Sequence, residues 1–161
     1  MASARLRDEL MGEVILAQGR QALEEALEAG RDTRFLEVDG GARHRAAAVF
    51  ASLFGSRRAV VVADENTFEA AGRDVRDGFG RIGHPCADPF IFGRNVYAAY
   101  PFVQSLDASL RTSDAIPVAV GSGTINDLTK LAAQRLNRPY MVVATAASMD
   151  GYTAFGASIT Y

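Results

Sequence analysis

Apolar residues along this chain follow two rhythms that take turns. Leu6, Leu10, Val14, Leu23, Leu27 and their apolar neighbours recur at threes and fours, which predicts a helix over residues 6–29 that Gly30 stops. "TRFLEVDG" then alternates Phe35 and Glu37 against Leu36 and Val38, as a short strand would. "GARHRAAAVFASLFG" returns to helical spacing and ends at Gly55. From there the alternation is regular. "RRAVVVAD" predicts a buried strand ending at Asp64, and "NTFEAAGRDVRDGF" a helix that Gly72 weakens. "DPFIFG" predicts a strand, and "AYPFVQSLDASLRT" a helix that tolerates Pro101 in its first turn. "AIPVAVG" is a strand, "TINDLTKLAAQRL" a helix and "PYMVVAT" a strand. Strands and helices in strict turn are βαβ units, so the expected fold is α/β and Rossmann-like: a mostly parallel sheet with helices on both faces.

The last stretch, "YTAFGASITY", alternates Phe155, Ala157, Ile159 and Tyr161 and is expected to be a strand. Two versions stay open: an ordinary edge strand, or one that leads into a further domain.

Composition narrows the picture. The length of 161 residues suits one domain and one core. A net charge of -2 argues against nucleic-acid binding by bulk electrostatics. No apolar run approaches the roughly 18–20 residues of a membrane span, and the first residues lack a signal-peptide pattern. The expected location is therefore cytoplasmic. Cys86 is the only cysteine, and His44 and His84 lie far apart with no ligand-spaced neighbour. A metal site built by this chain alone, or covalent catalysis by Cys86, is not expected.

In open parallel sheets ligands bind beyond the carboxyl ends of strands. Three such ends carry polar residues here. At the first, Asp64 can bind a ribose diol or cap the following helix. At the second, "AVGSGTINDLTK", Gly121 and Gly123 let the backbone turn and let a ligand come close. Thr124 and Asp127 match a capping-box pattern, and the helix start favours an anion such as pyrophosphate. The motif is neither G-x-G-x-x-G, since Asn126 takes the third glycine's place, nor a P-loop. Lys130 can reach a phosphate or pair with Asp127; the pairing is the expectation. At the third, "ATAASMDGYT", small residues Thr145 to Ser148 leave room for a flat ring, and Asp150 precedes Gly151 in what is either a substrate ligand or a plain turn.

"VVVADENTFEAAG", "VAVGSGTINDLTK" and "VVATAASMDGYTAFGASI" together resemble the N-terminal half of bacterial glycerol-1-phosphate dehydrogenases, of the dehydroquinate synthase-like and iron-containing alcohol dehydrogenase superfamily. The resemblance covers residues 34–161, as one dinucleotide-binding domain behind a helical extension of residues 1–33. It implies NAD or NADP as cofactor, and a helical C-terminal domain whose aspartate and histidines hold zinc or nickel. It implies hydride transfer from the cofactor to dihydroxyacetone phosphate, giving glycerol 1-phosphate. Residue by residue, it implies that Asp64 binds the adenosine ribose. Gly121, Ser122, Gly123, Thr124, Ile125, Asn126 and Asp127 line the pyrophosphate and nicotinamide ribose. Thr145, Ala146, Ala147 and Ser148 contact the nicotinamide side, and Asp150 binds substrate. Ala154 stands where relatives commonly carry a serine near the cofactor. The metal ligands fall outside this sequence, so the chain alone is expected to be inactive; a homo-oligomer is compatible with the resemblance. The alternatives are a stand-alone nucleotide-binding or interaction module, and a dehydroquinate synthase-type lyase, whose glycine-rich corner differs from "GSGTIND".

Overall fold

A computed structural model describes residues 32–149 and 151–161, together with Gly19, Gln21, Ala22, Glu24, Glu25, Leu27 and Glu28, which are helical. Leu6, Leu10, Val14, Leu23, Ala29 and Gly30, also in the first expected helix or at its stop, lie outside the described residues. The chain divides into two units, Met1–Val38 and Asp39–Tyr161. In the first, the expected strand is absent: residues 33–39 take no regular structure. Phe35, Leu36 and Val38 stand exposed there, so the alternation of apolar side chains finds no buried face to satisfy.

The second unit runs α1 (Ala42–Phe54), β1 (Ala59–Asp64), α2 (Glu65–Thr67), a π-helical turn (Phe68–Gly72), α3 (Arg73–Arg81), β2 (Phe90–Phe92), α4 (Tyr100–Leu110), β3 (Ile116–Gly121), α5 (Gly123–Arg135) and β4 (Met141–Ala144). The strand order is β2-β1-β3-β4, and every pair is parallel. The central strands bury both faces, because successive residues of a strand point to opposite sides. Val61 and Ala63 of β1 and Val118 and Val120 of β3 pack with Phe50 of α1 and Val75 and Phe79 of α3. Val60, Val62 and Ala119 face the other way, onto Val103 and Leu106 of α4 and Ile125 and Leu128 of α5. Helices therefore cover both faces, as the βαβ order requires.

Two residues that disfavour regular structure sit where the fold can take them. Pro117 lies inside the central strand β3, opposite Val60 of β1. Pairing with β4 begins one residue later, at Val118, so the missing N–H costs no ladder bond on that side. Gly72 closes the π-helical turn in the helix after β1. A Cβ there would lie 2.7 Å from Cδ2 of Phe68, so the ring packs only because residue 72 has no side chain.

The C-terminal stretch departs from expectation. It forms a 3-10 turn, Gly151–Thr153, and then a single bridge between Thr160 and Ala99 instead of a strand. Its neighbour at that point is the short approach to α4, which offers only the Ala98 carbonyl and the Tyr100 N–H. Most of its other main-chain bonds go to side chains of α5.

Candidate functional site

The strand ends define the site. Asp64 of β1 pairs with Phe92, the last residue of β2, and Gly121 of β3 pairs with Ala144, the last residue of β4. The β1–β3 register sets Val62 opposite Ala119, so Asp64 and Gly121 end at one level. Adjacent strands lie roughly 5 Å apart. The chain leaves β1 toward β2 on one side, then returns past β1 to β3 and on to β4. The order therefore reverses between β1 and β3, and the crevice beyond Asp64 and Gly121 is the switch point of the sheet.

The first corner caps itself. Asp64 Oδ1 accepts the Thr67 N–H at 2.8 Å, while the Asp64 N–H donates to Thr67 Oγ1 at 3.1 Å. This is a reciprocal capping box. Oδ2 of Asp64 takes no hydrogen bond among the described residues, and the residue is half-buried. Beside it a cavity of about 530 Å³ is lined by Glu65, Asn66, Phe68, Glu69, Ile91 and Arg94. Arg94 Nε and Glu65 Oε2 form an ion pair there at 2.6 Å.

The second corner behaves otherwise. Ser122 is the N-cap of α5 and makes no side-chain cap bond. Thr124 already lies inside the helix, so the expected box with Asp127 does not form. Asp127 instead accepts Asn126 Nδ2 at 3.3 Å and the Ser158 N–H at 3.1 Å. The first-turn N–H groups of Gly123, Thr124 and Ile125 are thus left without a side-chain cap, at the positive end of a 13-residue helix. The two glycines have different reasons. A Cβ on Gly121 would come within 2.6 Å of Ile125 Cβ, so this glycine lets the first turn of α5 pack onto β3. A Cβ on Gly123 would meet only the Met149 side chain, Cε at 3.5 Å and Cγ at 3.6 Å, ordinary contacts. Ile125 and Asn126 are fully buried, and the Asn126 N–H already donates to the Ser122 carbonyl at 3.0 Å, so the half-buried Gly123 and Thr124 are the part of this turn nearest solvent. Asn126 Oδ1 accepts the Tyr140 hydroxyl at 3.2 Å. Burial, aided by the Asp127 charge, pushes the Tyr140 phenol up to about 12.

The third end is tied to the second. The Thr145 N–H donates to the Gly121 carbonyl at 3.1 Å. The Tyr152 hydroxyl lies 3.3 Å from the Gly121 carbonyl, 3.1 Å from that of Ala146 and 3.4 Å from the Ala146 nitrogen. Thr145, Ala147 and Ser148 are exposed around this anchor. Asp150 lies outside the described residues. Ala154 has no polar side chain, and its carbonyl takes a hydrogen bond from Lys130. Lys130 neither bonds to Asp127 nor faces the corner's N–H groups: its ammonium donates to main-chain carbonyls at 151, 154 and 156. Burial pulls its pKa below the usual lysine range, against the attraction of Asp127. The roles of Tyr152 and Lys130 are not legible in the sequence. Nothing local marks a tyrosine that bonds 31 positions away, although glycines at 151 and 156 do mark a stretch with accessible carbonyls.

Among the described residues no group of three or more histidine, cysteine, aspartate or glutamate side chains is placed to hold a metal ion. His84 Nε2 lies 2.9 Å from the Arg57 carbonyl, a structural contact. Burial pushes the Cys86 thiol up despite the Arg76 charge, the wrong direction for a nucleophile. No helix among the described residues is long and apolar enough to cross a membrane.

The sequence and the fold have known counterparts. The iron-containing alcohol dehydrogenase family matches residues 37–161. The glycerol-1-phosphate dehydrogenase [NAD(P)+] of Bacillus velezensis is 36% identical over 104 residues, 62% of this chain and 26% of that protein. Its counterpart in Halalkalibacterium halodurans is 28% identical over 152 residues, 90% of this chain and 38% of that protein. The chain thus spans between 26% and 38% of the length of these relatives. Glycerol dehydrogenase from Schizosaccharomyces pombe shares the fold, with a TM-score of 0.57 at 21% identity over 68% of this chain and 28% of its own. The 2-epi-5-epi-valiolone synthase ValA from Streptomyces hygroscopicus, solved with NAD+ and Zn2+ bound, does so with a TM-score of 0.53 at 19% identity, over 72% of this chain and 35% of its own. The matched region runs from before α1 through all four strands to the last residue, and the chain belongs to the iron-containing alcohol dehydrogenase family.

Proposed function

We propose that this chain is the dinucleotide-binding part of an NAD(P)-dependent glycerol-1-phosphate dehydrogenase. The observation that carries the proposal is the uncapped start of α5, opening at the switch point beside Asp64. The N–H groups of Gly123, Thr124 and Ile125 bind the pyrophosphate, which supplies the anion their dipoles favour. Oδ2 of Asp64 accepts from the adenosine ribose diol, and its charge disfavours a 2′-phosphate, so NAD is the preferred form. The cavity by Glu65 and Asn66 leaves room for the adenosine end. Ser122, Asn126 and Asp127 shape the middle of the site. Thr145, Ala146, Ala147 and Ser148 flank the nicotinamide, and Asp150 takes a hydroxyl of the substrate. The bound cofactor supplies the hydride that converts dihydroxyacetone phosphate to glycerol 1-phosphate. The described residues bring together no side-chain cluster that fits a zinc or nickel ion.

Titration of the purified chain with NADH, followed by nicotinamide fluorescence, tests this. Saturable binding that ADP-ribose displaces is expected, with NADPH weaker. Absence of saturation with NADH, NADPH and ADP-ribose alike would overturn the proposal. With dihydroxyacetone phosphate and added zinc or nickel, no turnover is expected from these 161 residues.

A further inference from the structure

Lys130 stands on α5 with its ammonium 2.8 Å from the Ala154 carbonyl, 3.1 Å from that of Gly156 and 3.4 Å from that of Gly151. An ammonium has three N–H donors and no acceptor, and three carbonyls face them here. Asp127 lies three residues earlier, on the same face of the helix. Its Oδ2 accepts the Ser158 N–H at 3.1 Å. A cation and an anion of one helix face thus hold the carbonyls and an N–H of a single stretch, where a strand would have used a neighbouring strand. Within that stretch sits Tyr152, whose hydroxyl reaches both the Gly121 carbonyl and the main chain of Ala146. A mechanical path therefore runs from Lys130 through residues 151–156 and Tyr152 to the ends of β3 and β4.

We infer that Lys130 is a positioning residue: it fixes the course of residues 151–156 and, through Tyr152, the shape of the loop 145–148 that receives the nicotinamide end of the nucleotide. The identity of the ligand rests on the function proposed above; the clasp rests on the hydrogen bonds alone. Lys130 touches no ligand in this scheme. Its loss therefore weakens binding of the whole dinucleotide and leaves binding of its adenosine half, ADP, unchanged.

The test measures amide hydrogen exchange without nucleotide, and dissociation constants for NADH and ADP, in the wild-type chain, K130M, K130R and Y152F. K130M keeps the aliphatic stem and removes all donors. It is expected to speed exchange at 151–158 and 145–148 and to weaken NADH roughly tenfold, as loss of hydrogen bonds to a charged group does. ADP affinity should stay within about twofold, a difference under 0.5 kcal/mol. K130R, which keeps charge and donors, should recover most of the protection. Y152F should loosen 145–148 while 151–158 stays protected, and it keeps the path testable if K130M fails to fold. Unchanged exchange in K130M, equal weakening of NADH and ADP, or faster exchange at 145–148 with NADH affinity intact would each overturn the inference. If the wild-type chain binds no NADH, the proposed function fails with it, while the exchange data still decide the clasp.

Discussion

The corners after β1 and β3 are built alike in sequence and finished oppositely in structure. Each is a buried strand that ends at the sheet's switch point and hands over to a helix. After β1, Asp64 and Thr67 exchange hydrogen bonds and satisfy each other's main chain. After β3, the N-cap Ser122 leaves the first turn uncapped. A self-capped corner is finished without a ligand and contributes stability. An uncapped one keeps its donors for whatever arrives. In the function proposed above, the main chain of α5 is what meets the ligand at this switch point, with the spare oxygen of Asp64 as its side-chain complement.

The sharpest way to break this contrast is at Gly121. G121A forces a Cβ against Ile125 and is expected to cost about 1–3 kcal/mol, the usual range for overpacking. Urea unfolding measures it, with G123A as the partner variant, expected to change stability by under about 0.5 kcal/mol because its Cβ meets only Met149. Equal costs would mean that the two glycines share one role. Next in size is the cap. D64A should lose about 1 kcal/mol, whereas T124A should stay within about 0.5 kcal/mol because no cap is lost; the reverse order would return the capping box to the β3 corner.

A pH series probes the support beneath α5. The Tyr140 phenol is held up to about 12, against an ordinary value of 10.0. Below pH 10 it is neutral in both folded and unfolded chains and adds no pH dependence. Between about pH 10 and 12 the unfolded chain loses this proton first, so stability falls as pH rises. The fall should be on the order of 1 kcal/mol after allowance for its partial exposure, and Y140F should flatten that part of the curve. A curve unchanged by Y140F would mean that another group causes the fall. The smallest effect is spectroscopic: ADP should shift the amide resonances of Gly123, Thr124 and Ile125 more than that of Thr67, which Asp64 already holds. Larger shifts at Thr67 would make the self-capped corner the ligand site.

The fold was legible wherever burial left no choice. Val60 to Ala63 and Val118 to Val120 have apolar partners on both sheet faces, and their composition announces as much. Legibility failed where similar patterns serve different ends. Thr124 and Asp127 have capping-box spacing, yet Asp127 is drawn to Ser158, a residue 31 positions on that no local pattern reveals. Asp64 and Thr67 had the same spacing and did form the box. Residues 33–38 and 152–161 alternate as strands do, but alternation reports only a two-sided environment, and the first stretch takes no regular structure while the second makes a single bridge. The need for Gly121 in the turn is legible, while its steric reason lies in the branched side chain of Ile125.

The clasp on α5 has a consequence for variation. Carbonyl oxygens are the same in every residue, so a lysine that grips three of them reads the path of the chain and is blind to its spelling. The exposed side chain at 155 is therefore free to change in any way that preserves the backbone course. The demand for identity falls instead on Lys130 and Asp127, two positions on a different element. The tail of this domain is held in place by an address written elsewhere in the sequence.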